Sequence, residues 1–67
     1  MKLEVVYADQ PDIEVSVDGQ WCAGELLRRT ELDDGTSVLN VRYRLRGDRS
    51  SNVGVFPEDL VRSSSTV

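Results

Sequence analysis

Two Asp-Gly pairs constrain the fold of this chain more than any other feature of its sequence. Asp18-Gly19 and Asp34-Gly35 each lie between segments in which apolar and polar residues alternate. Alternation with a period of two predicts β-strands. Asp-Gly between two strands favours a two-residue hairpin turn, because a type I′ turn needs positive φ at both central residues. The sequence therefore predicts three consecutive antiparallel strands that share one middle strand.

If both pairs form two-residue loops, they set the register of that middle strand. The first turn places Val15 opposite Cys22. The second places Leu26 opposite Tyr43, and likewise Glu25 opposite Arg44. Both turns assign the same residues to one inner, apolar face: Ile13, Val15, Cys22, Gly24, Leu26, Val41, Tyr43 and Leu45. They assign a second set to the outer face: Glu14, Ser16, Trp21, Ala23, Glu25, Leu27, Arg42, Arg44 and Arg46. A slip of one residue would bury three arginines, so the choice of face is strongly specified.

Shorter elements are predicted on either side of these strands. We expect an N-terminal strand at about residues 3–8, a loop at 47–51, one helical turn at 57–59 and a final strand near 60–62. Gly24, with no side chain in mid-strand, is where we expect the middle strand to bend. The prediction is one all-β domain over residues 1–62, a small barrel or partly open roll of about five strands. Residues 63–67 have the composition of a disordered tail.

Composition argues against catalysis and against metal binding. The 67 residues include no histidine and one cysteine, so a disulfide is impossible within the chain and a zinc site lacks ligands. Cys22 is predicted to be a small core residue rather than a nucleophile, because no base accompanies it. We expect no enzyme activity and no cofactor. A lone thiol, with neither a secretory leader nor an apolar span, predicts a cytoplasmic protein without a membrane partner.

Three segments resemble those of a known family of small barrels. Residues 18–26, Asp-Gly-Gln-Trp-Cys-Ala-Gly-Glu-Leu, resemble the opening of Tudor and agenet-type modules, residues 41–47 a later strand, and residues 58–62 the closing segment. Residues 55–61 also resemble the end of Src-homology-3 domains. The resemblance implies a Src-homology-3-like barrel over about residues 15–62, and it supports the fold more than the function.

The resemblance does not extend to the ligand sites of those families. Trp21 matches one position of the aromatic cage by which Tudor modules hold methylated lysine or arginine. Cys22 and Arg46 stand where two other cage residues would be, and a cation at Arg46 would repel such a ligand. The Src-homology-3 peptide groove needs a ladder of aromatic residues, and this chain has four, of which Tyr43 is assigned to the core. We therefore expect neither ligand.

The outer face supplies the candidate binding site. We predict that this face binds a protein or peptide, with homodimerisation through it or through an edge strand as a variant. Its predicted residues are Trp21, Leu27, Arg42, Arg44 and Arg46, rimmed by Tyr7.

Two structural alternatives and one functional alternative remain open at this point. The N-terminal strand could cover Trp21 and make it part of the core. The arginines could form a solvated face balanced by Glu25, with Arg46 stacked on Trp21. The alternative function is single-stranded nucleic-acid binding, in which Trp21 stacks on a base and the arginines follow phosphates. A net charge of −4 and a pI of about 4.5 disfavour nucleic acid.

Overall fold

The computed structural model describes residues 3–64, which form six antiparallel β-strands and one turn of 3-10 helix. The elements are β1 (Leu3–Val6), β2 (Asp12–Val17), β3 (Gln20–Glu31), β4 (Ser37–Tyr43), β5 (Asn52–Pro57), the 3-10 turn (Glu58–Leu60) and β6 (Val61–Ser63). The all-β prediction is confirmed, with one strand more than the expected five. No helix within residues 3–64 is long and apolar enough to cross a membrane.

All six strands belong to one open sheet. Five of them follow the order β5-β4-β3-β2-β6, and β1 lies off this path, paired with β3. The twelve-residue β3 lies at its centre. On one side β3 pairs with β4; on the other, its first half pairs with β2 and residues 28–31 pair with β1. The 3-10 turn connects β5 at one edge of the sheet to β6 at the other.

The β2–β3 hairpin has the predicted turn and the predicted register. Asp18 and Gly19 have φ of 50° and 80°, as a type I′ turn requires. Val15 pairs with Cys22, and Ile13 pairs with Gly24. Asp-Gly was sufficient to predict this hairpin because its two residues are the whole loop.

The register predicted for the β3–β4 hairpin is wrong by two residues. The loop has three residues, Asp33 to Gly35, and is closed by a hydrogen bond of 2.8 Å from Leu32 N–H to Thr36 O. Gly35, with φ of 89°, takes the left-handed position that follows a type I turn in such loops. The carboxylate of Asp34 stabilises the loop by accepting hydrogen bonds from the backbone N–H of Thr36 at 3.1 Å and from its hydroxyl at 2.7 Å.

A β-bulge at Leu27, between Leu26 and Arg28, supplies the second residue of the shift. Glu25 therefore pairs with Arg42 instead of Arg44, and Leu26 pairs with Val41 instead of Tyr43. Side chains alternate between faces with a period of two, so a shift of two residues keeps the predicted inner and outer faces.

The core lies on the predicted inner face. Its buried residues are Ile13, Val15, Cys22, Leu39 and Val41, and Val17, Leu26, Tyr43, Phe56 and Val61 pack against them half-buried. The rings of Tyr43 and Phe56 meet edge to face, with centroids 5.4 Å apart. Leu45 was predicted to be a core residue, but it is 38% exposed because β4 ends two residues earlier, at Tyr43.

Gly24 and the C-terminal strand each differ in part from expectation. The irregularity in β3 is the bulge three residues beyond Gly24, where the bend was predicted. Gly24 instead allows a close backbone approach, since a Cβ there would lie 2.3 Å from the carbonyl oxygen of Arg42. Regular structure also continues past the predicted boundary at residue 62, because Ser63 pairs with Ile13 in β6 and Ser64 N–H donates to Asp12 O. The rest of the predicted tail, residues 65–67, lies outside the described residues.

Candidate partner-binding surface

Trp21 lies half-buried on the outer face of the sheet, one residue into β3 and directly opposite Ser16 of β2. The guanidinium carbon of Arg62, from β6, lies 3.9 Å from the centroid of its ring. The Nε of Arg62 donates a hydrogen bond of 2.8 Å to Glu14 Oε1. Glu14 thereby fixes the cation over the ring, a cation–π arrangement typically worth about 0.5–1 kcal/mol at an exposed site.

The arginine over the Trp21 ring is Arg62, and not Arg46, which the sequence offered as a possible stacking partner. Arg46 lies in a turn after β4 has ended, whereas β6 returns beside β2 and places Arg62 opposite Glu14. From there the long side chain of Arg62 reaches across β2, where the residue opposite Trp21 is the small Ser16. The N-terminal strand does not cover Trp21 either, because β1 pairs with residues 28–31 at the other end of β3.

Arg42 is held by two neighbours within the chain. Its Nε lies 3.6 Å from Glu25 Oε1 on the adjacent strand. Its Nη2 donates a hydrogen bond of 2.6 Å to Oε1 of Gln10, in the segment between β1 and β2. The balancing role predicted for Glu25 is therefore present, but on Arg42 and not on Arg44.

The segment from β4 to β5, residues 44–51, concentrates exposed positive charge, and we call it the arginine loop. Arg44, Arg46 and Arg49 are all exposed in it. No acidic side chain among residues 3–64 lies within ion-pairing distance of these three guanidinium groups. The remaining described arginines each pair with a glutamate: Arg28 with Glu4, Arg29 with Glu31, Arg42 with Glu25 and Arg62 with Glu14.

Backbone hydrogen bonds position the arginine loop beside the start of β3. Arg44 N–H donates to Ala23 O at 3.1 Å, which continues the β3–β4 ladder one pair beyond the strand. Asp48 N–H donates to Leu45 O at 3.0 Å, and the Asp48 carboxylate accepts from Ser50 N–H at 2.9 Å. Ala23 is two residues from Trp21 on the same face of β3, so Arg44 lies next to the tryptophan on the side away from β6.

Leu27 and Tyr7 do not belong to this surface. Leu27 is the bulged residue, six positions from Trp21 and therefore about 20 Å away along the strand. Its carbonyl accepts a hydrogen bond of 3.0 Å from Tyr7 N–H, and both residues are half-buried. The structure thus places Leu27 and Tyr7 together, at a distance from the tryptophan they were predicted to accompany.

Of the predicted residues, Trp21, Arg44 and Arg46 remain. Together with Arg62 they define what we call the Trp21 surface. Sequence reasoning missed Arg62, and also Arg49 at the far side of the arginine loop. Arg62 lies within the predicted last strand, but the local pattern does not indicate that this strand pairs with β2. Arg49 follows Asp48 in a polar loop and has no periodicity that could single it out.

Residues 3–64 enclose no pocket, and they contain no group of three or more potential metal ligands. Cys22 is 3% exposed on the inner face. The Trp21 surface is therefore a sheet face with a loop at its side, and not a cavity.

Comparison of the chain with protein-family models, with curated proteins and with solved structures finds no match. The geometry of the Trp21 surface is therefore the basis for inferring a function.

Proposed function

We propose that this chain is a non-catalytic interaction module that binds an acidic protein or peptide segment through the Trp21 surface. One observation carries the proposal: exposed arginines without a described acidic partner lie beside a half-buried tryptophan. Tryptophan and arginine are the residue types most enriched among binding hot spots. An acidic segment supplies the carboxylates that Arg44 and Arg46 lack.

The arginines of the Trp21 surface have different roles, which follow from their contacts. Arg62 is already neutralised by Glu14, so its main contribution is to hold one side of the Trp21 ring. Arg44 and Arg46 would form new charge-assisted hydrogen bonds with carboxylates of the partner. Because these bonds would form at an exposed rim, they affect the association rate and partner choice more than the total affinity.

Amide NMR of the labelled chain, titrated with a glutamate-rich peptide containing one phenylalanine, tests this proposal. We expect the Trp21 indole signal and the backbone signals of residues 44–49 to shift together. The same peptide with glutamine in place of glutamate is the ligand control and should cause much smaller shifts.

A matched pair of variants separates a specific site from general charge attraction. Arg44→Gln and Arg28→Gln remove the same charge, but Arg28 lies far along β3, opposite Val6 and Asn40. We expect Arg44→Gln to weaken binding and Arg28→Gln to leave it nearly unchanged. Equal weakening by both, or shifts that avoid Trp21 and the arginine loop, would contradict the proposal.

The alternative function is single-stranded nucleic-acid binding, which is favoured by the same tryptophan and the same unpaired arginines. The contact between Arg62 and Trp21 counts against it, because one face of the ring is already occupied and one remains for a base. The net charge of −4 also counts against it. If phosphates bind the three loop arginines, the logarithm of the binding constant should fall with the logarithm of salt with a slope near −2, about −0.7 per phosphate contact.

We also propose that the sheet belongs to the Src-homology-3-like, Tudor-like barrels. Supporting features are the run of antiparallel neighbours from β2 to β5, the bulge in the long β3, and the 3-10 turn that brings β6 back beside β2. A cytoplasmic location, with no cofactor and no membrane partner, completes the proposal. The free thiol of Cys22, buried in the core, suits a reducing compartment.

A further inference from the structure

The edge strand β5 presents an apolar and uncharged surface. Among the described strands β5 pairs only with β4, which leaves its other side open. Val53 and Val55 are 68% and 60% exposed on it. None of its six residues is charged, although charged side chains are a common protection of edges against pairing with another chain.

The hydrogen bonds of the neighbouring ladder establish which residues of β5 point toward the open side. Arg44 N–H donates to Ala23 O, so the polar backbone groups of Arg44 point toward β3. The N–H and C=O of one residue point to the same side of an antiparallel strand, and the side alternates from residue to residue. Tyr43 therefore points toward β5, where it pairs with Asn52.

By the same alternation, Asn52 and Gly54 bond to β4, while Val53 and Val55 direct their N–H and C=O groups to the open edge. Pro57 has the same orientation but lacks an N–H. The two exposed valines thus combine free backbone donors and acceptors with apolar side chains, which are the two requirements for adding a strand.

We propose that β5 pairs with β5 of a second copy of this chain, antiparallel, with Gly54 of each copy at the two-fold axis. In this register Val53 of each copy lies opposite Val55 of the other, and each such pair exchanges both N–H···O bonds. A two-fold axis perpendicular to the sheet keeps all four valines on the same outer face, where they form one apolar cluster.

The neighbouring registers that preserve the faces are less favourable. A shift in one direction places Val53 opposite Pro57, whose nitrogen cannot donate. A shift in the other direction separates the valine pairs, placing Val55 opposite Ser51, and brings Asp48 near Glu58 of the other copy. Only the register centred on Gly54 keeps both valine pairs.

The charges at the two ends of β5 are complementary in that register. Arg49 precedes β5 and Asp59 follows it in the 3-10 turn, so antiparallel pairing brings the Arg49 end of each copy to the Asp59 end of the other. Within one copy the two residues are separated by the whole of β5, whose six residues span roughly 17–20 Å. Neither side chain has an ion-pair partner among residues 3–64.

The pairing is independent of the Trp21 surface. It uses the opposite edge of the sheet from β6, so Trp21→Ala should leave dimerisation unchanged. Failure of the dimer would leave the proposed binding of acidic segments standing, and the reverse also holds.

Sedimentation equilibrium of the full chain across micromolar to millimolar concentrations tests the proposal. We expect reversible dimerisation in the wild type. Val53→Lys should abolish it, because each dimer would then gain two lysines within the valine cluster. The control Val6→Lys, at a position 71% exposed on β1, should dimerise as the wild type does.

A charge swap tests the register itself. Arg49→Glu and Asp59→Arg should each raise the dimer dissociation constant roughly two- to thirtyfold, because each exposed charge pair counts twice in a symmetric dimer. The double variant Arg49→Glu/Asp59→Arg should restore the wild-type constant. Amide NMR of each variant at the lowest concentration checks that the monomer fold is retained.

Three outcomes would overturn the proposal. If the chain stays monomeric up to millimolar concentration, β5 does not pair with itself, and its edge would be available only to a strand of another protein. A dimer that tolerates Val53→Lys would use another surface. A charge swap without rescue would exclude the register centred on Gly54.

Discussion

Gly24→Ala should be among the most damaging single-methyl additions to this chain, and the structure explains why. A Cβ at Gly24 would lie 2.3 Å from Arg42 O and 3.0 Å from Tyr43 Cα, both backbone atoms. Real Cβ contacts rarely fall below 3.0 Å, so the Arg42 carbonyl would have to move by at least 3.0 − 2.3 = 0.7 Å. No flexible side chain can absorb this displacement, and β4 is held by strands on both sides.

The expected cost of Gly24→Ala is about 2–4 kcal/mol of unfolding free energy. Overpacking a rigid site costs about 1–3 kcal/mol, and separating β3 from β4 weakens ladder hydrogen bonds worth about 1 kcal/mol each. For a chain of this length total stability is about 3–10 kcal/mol, so much of it would be lost. Urea unfolding followed by the fluorescence of the single tryptophan, Trp21, measures the change directly.

Gly19→Ala is the matched control for that experiment. Gly19 has φ of 80°, and a Cβ there would meet no atom within 4 Å. Its replacement should cost only the conformational penalty of a left-handed residue, about 1–2 kcal/mol. If Gly24→Ala proved no more destabilising than Gly19→Ala, the close approach of β3 and β4 at this pair, and with it the two-residue correction of the register, would be refuted.

Two further predictions concern the Trp21 surface and the β3–β4 loop. Arg62→Ala should change the fluorescence emission of Trp21, because water replaces the guanidinium over the ring, and should lower the free energy of unfolding by about 1 kcal/mol or less. The control Arg28→Ala should leave the emission unchanged. Identical emission spectra for Arg62→Ala and wild type would contradict the stacking. The hydroxyl and backbone N–H of Thr36 hold the pKa of the Asp34 carboxyl below its usual value. The ionised carboxylate therefore contributes its full stabilisation above the unfolded-state pKa, near 3.9. That contribution is lost as pH falls through the lower pKa of the folded state. Thr36→Val should raise the pKa of Asp34 in a carbon-detected NMR titration and make stability less dependent on pH in that acidic range, whereas an unchanged pKa would show that the hydroxyl bond is not formed.

Local sequence was sufficient for one of the two hairpins. The β2–β3 hairpin follows from Asp18-Gly19 and the alternation on either side, because the turn and all the paired residues lie between Asp12 and Glu25. The β3–β4 hairpin did not follow in the same way. Asp-Asp-Gly is compatible with a two-residue or a three-residue loop. The alternation of β3 breaks at Leu26-Leu27, where the bulge lies, but such a break does not determine the pairing beyond it.

The predicted faces remained correct despite the wrong register because the two errors added to an even number. The loop contributed one residue and the bulge contributed another, which returned Leu26 and Val41 to the same side. The apolar pattern determines the face directly, whereas it determines the pairing only up to a multiple of two. Predictions of burial were therefore more robust than predictions of neighbours, and the ion pairs, which depend on neighbours, were misassigned.

Arg42, Arg44 and Arg46 show how the difference between predicting a face and predicting neighbours affects the proposed site. Arg42, Arg44 and Arg46 look equivalent in the sequence, since they alternate with apolar residues over one continuous run. The strand ends at Tyr43, so only Arg42 reaches a glutamate across the sheet, while Arg44 and Arg46 enter the loop with their charges unpaired. An arginine stripe on a strand would be largely neutralised by its neighbours, as the four glutamate pairs on the described strands are. The end of β4 therefore leaves Arg44 and Arg46 in an exposed loop without a described acidic partner, and it is to this loop, more than to the stripe, that we assign the proposed binding of carboxylates.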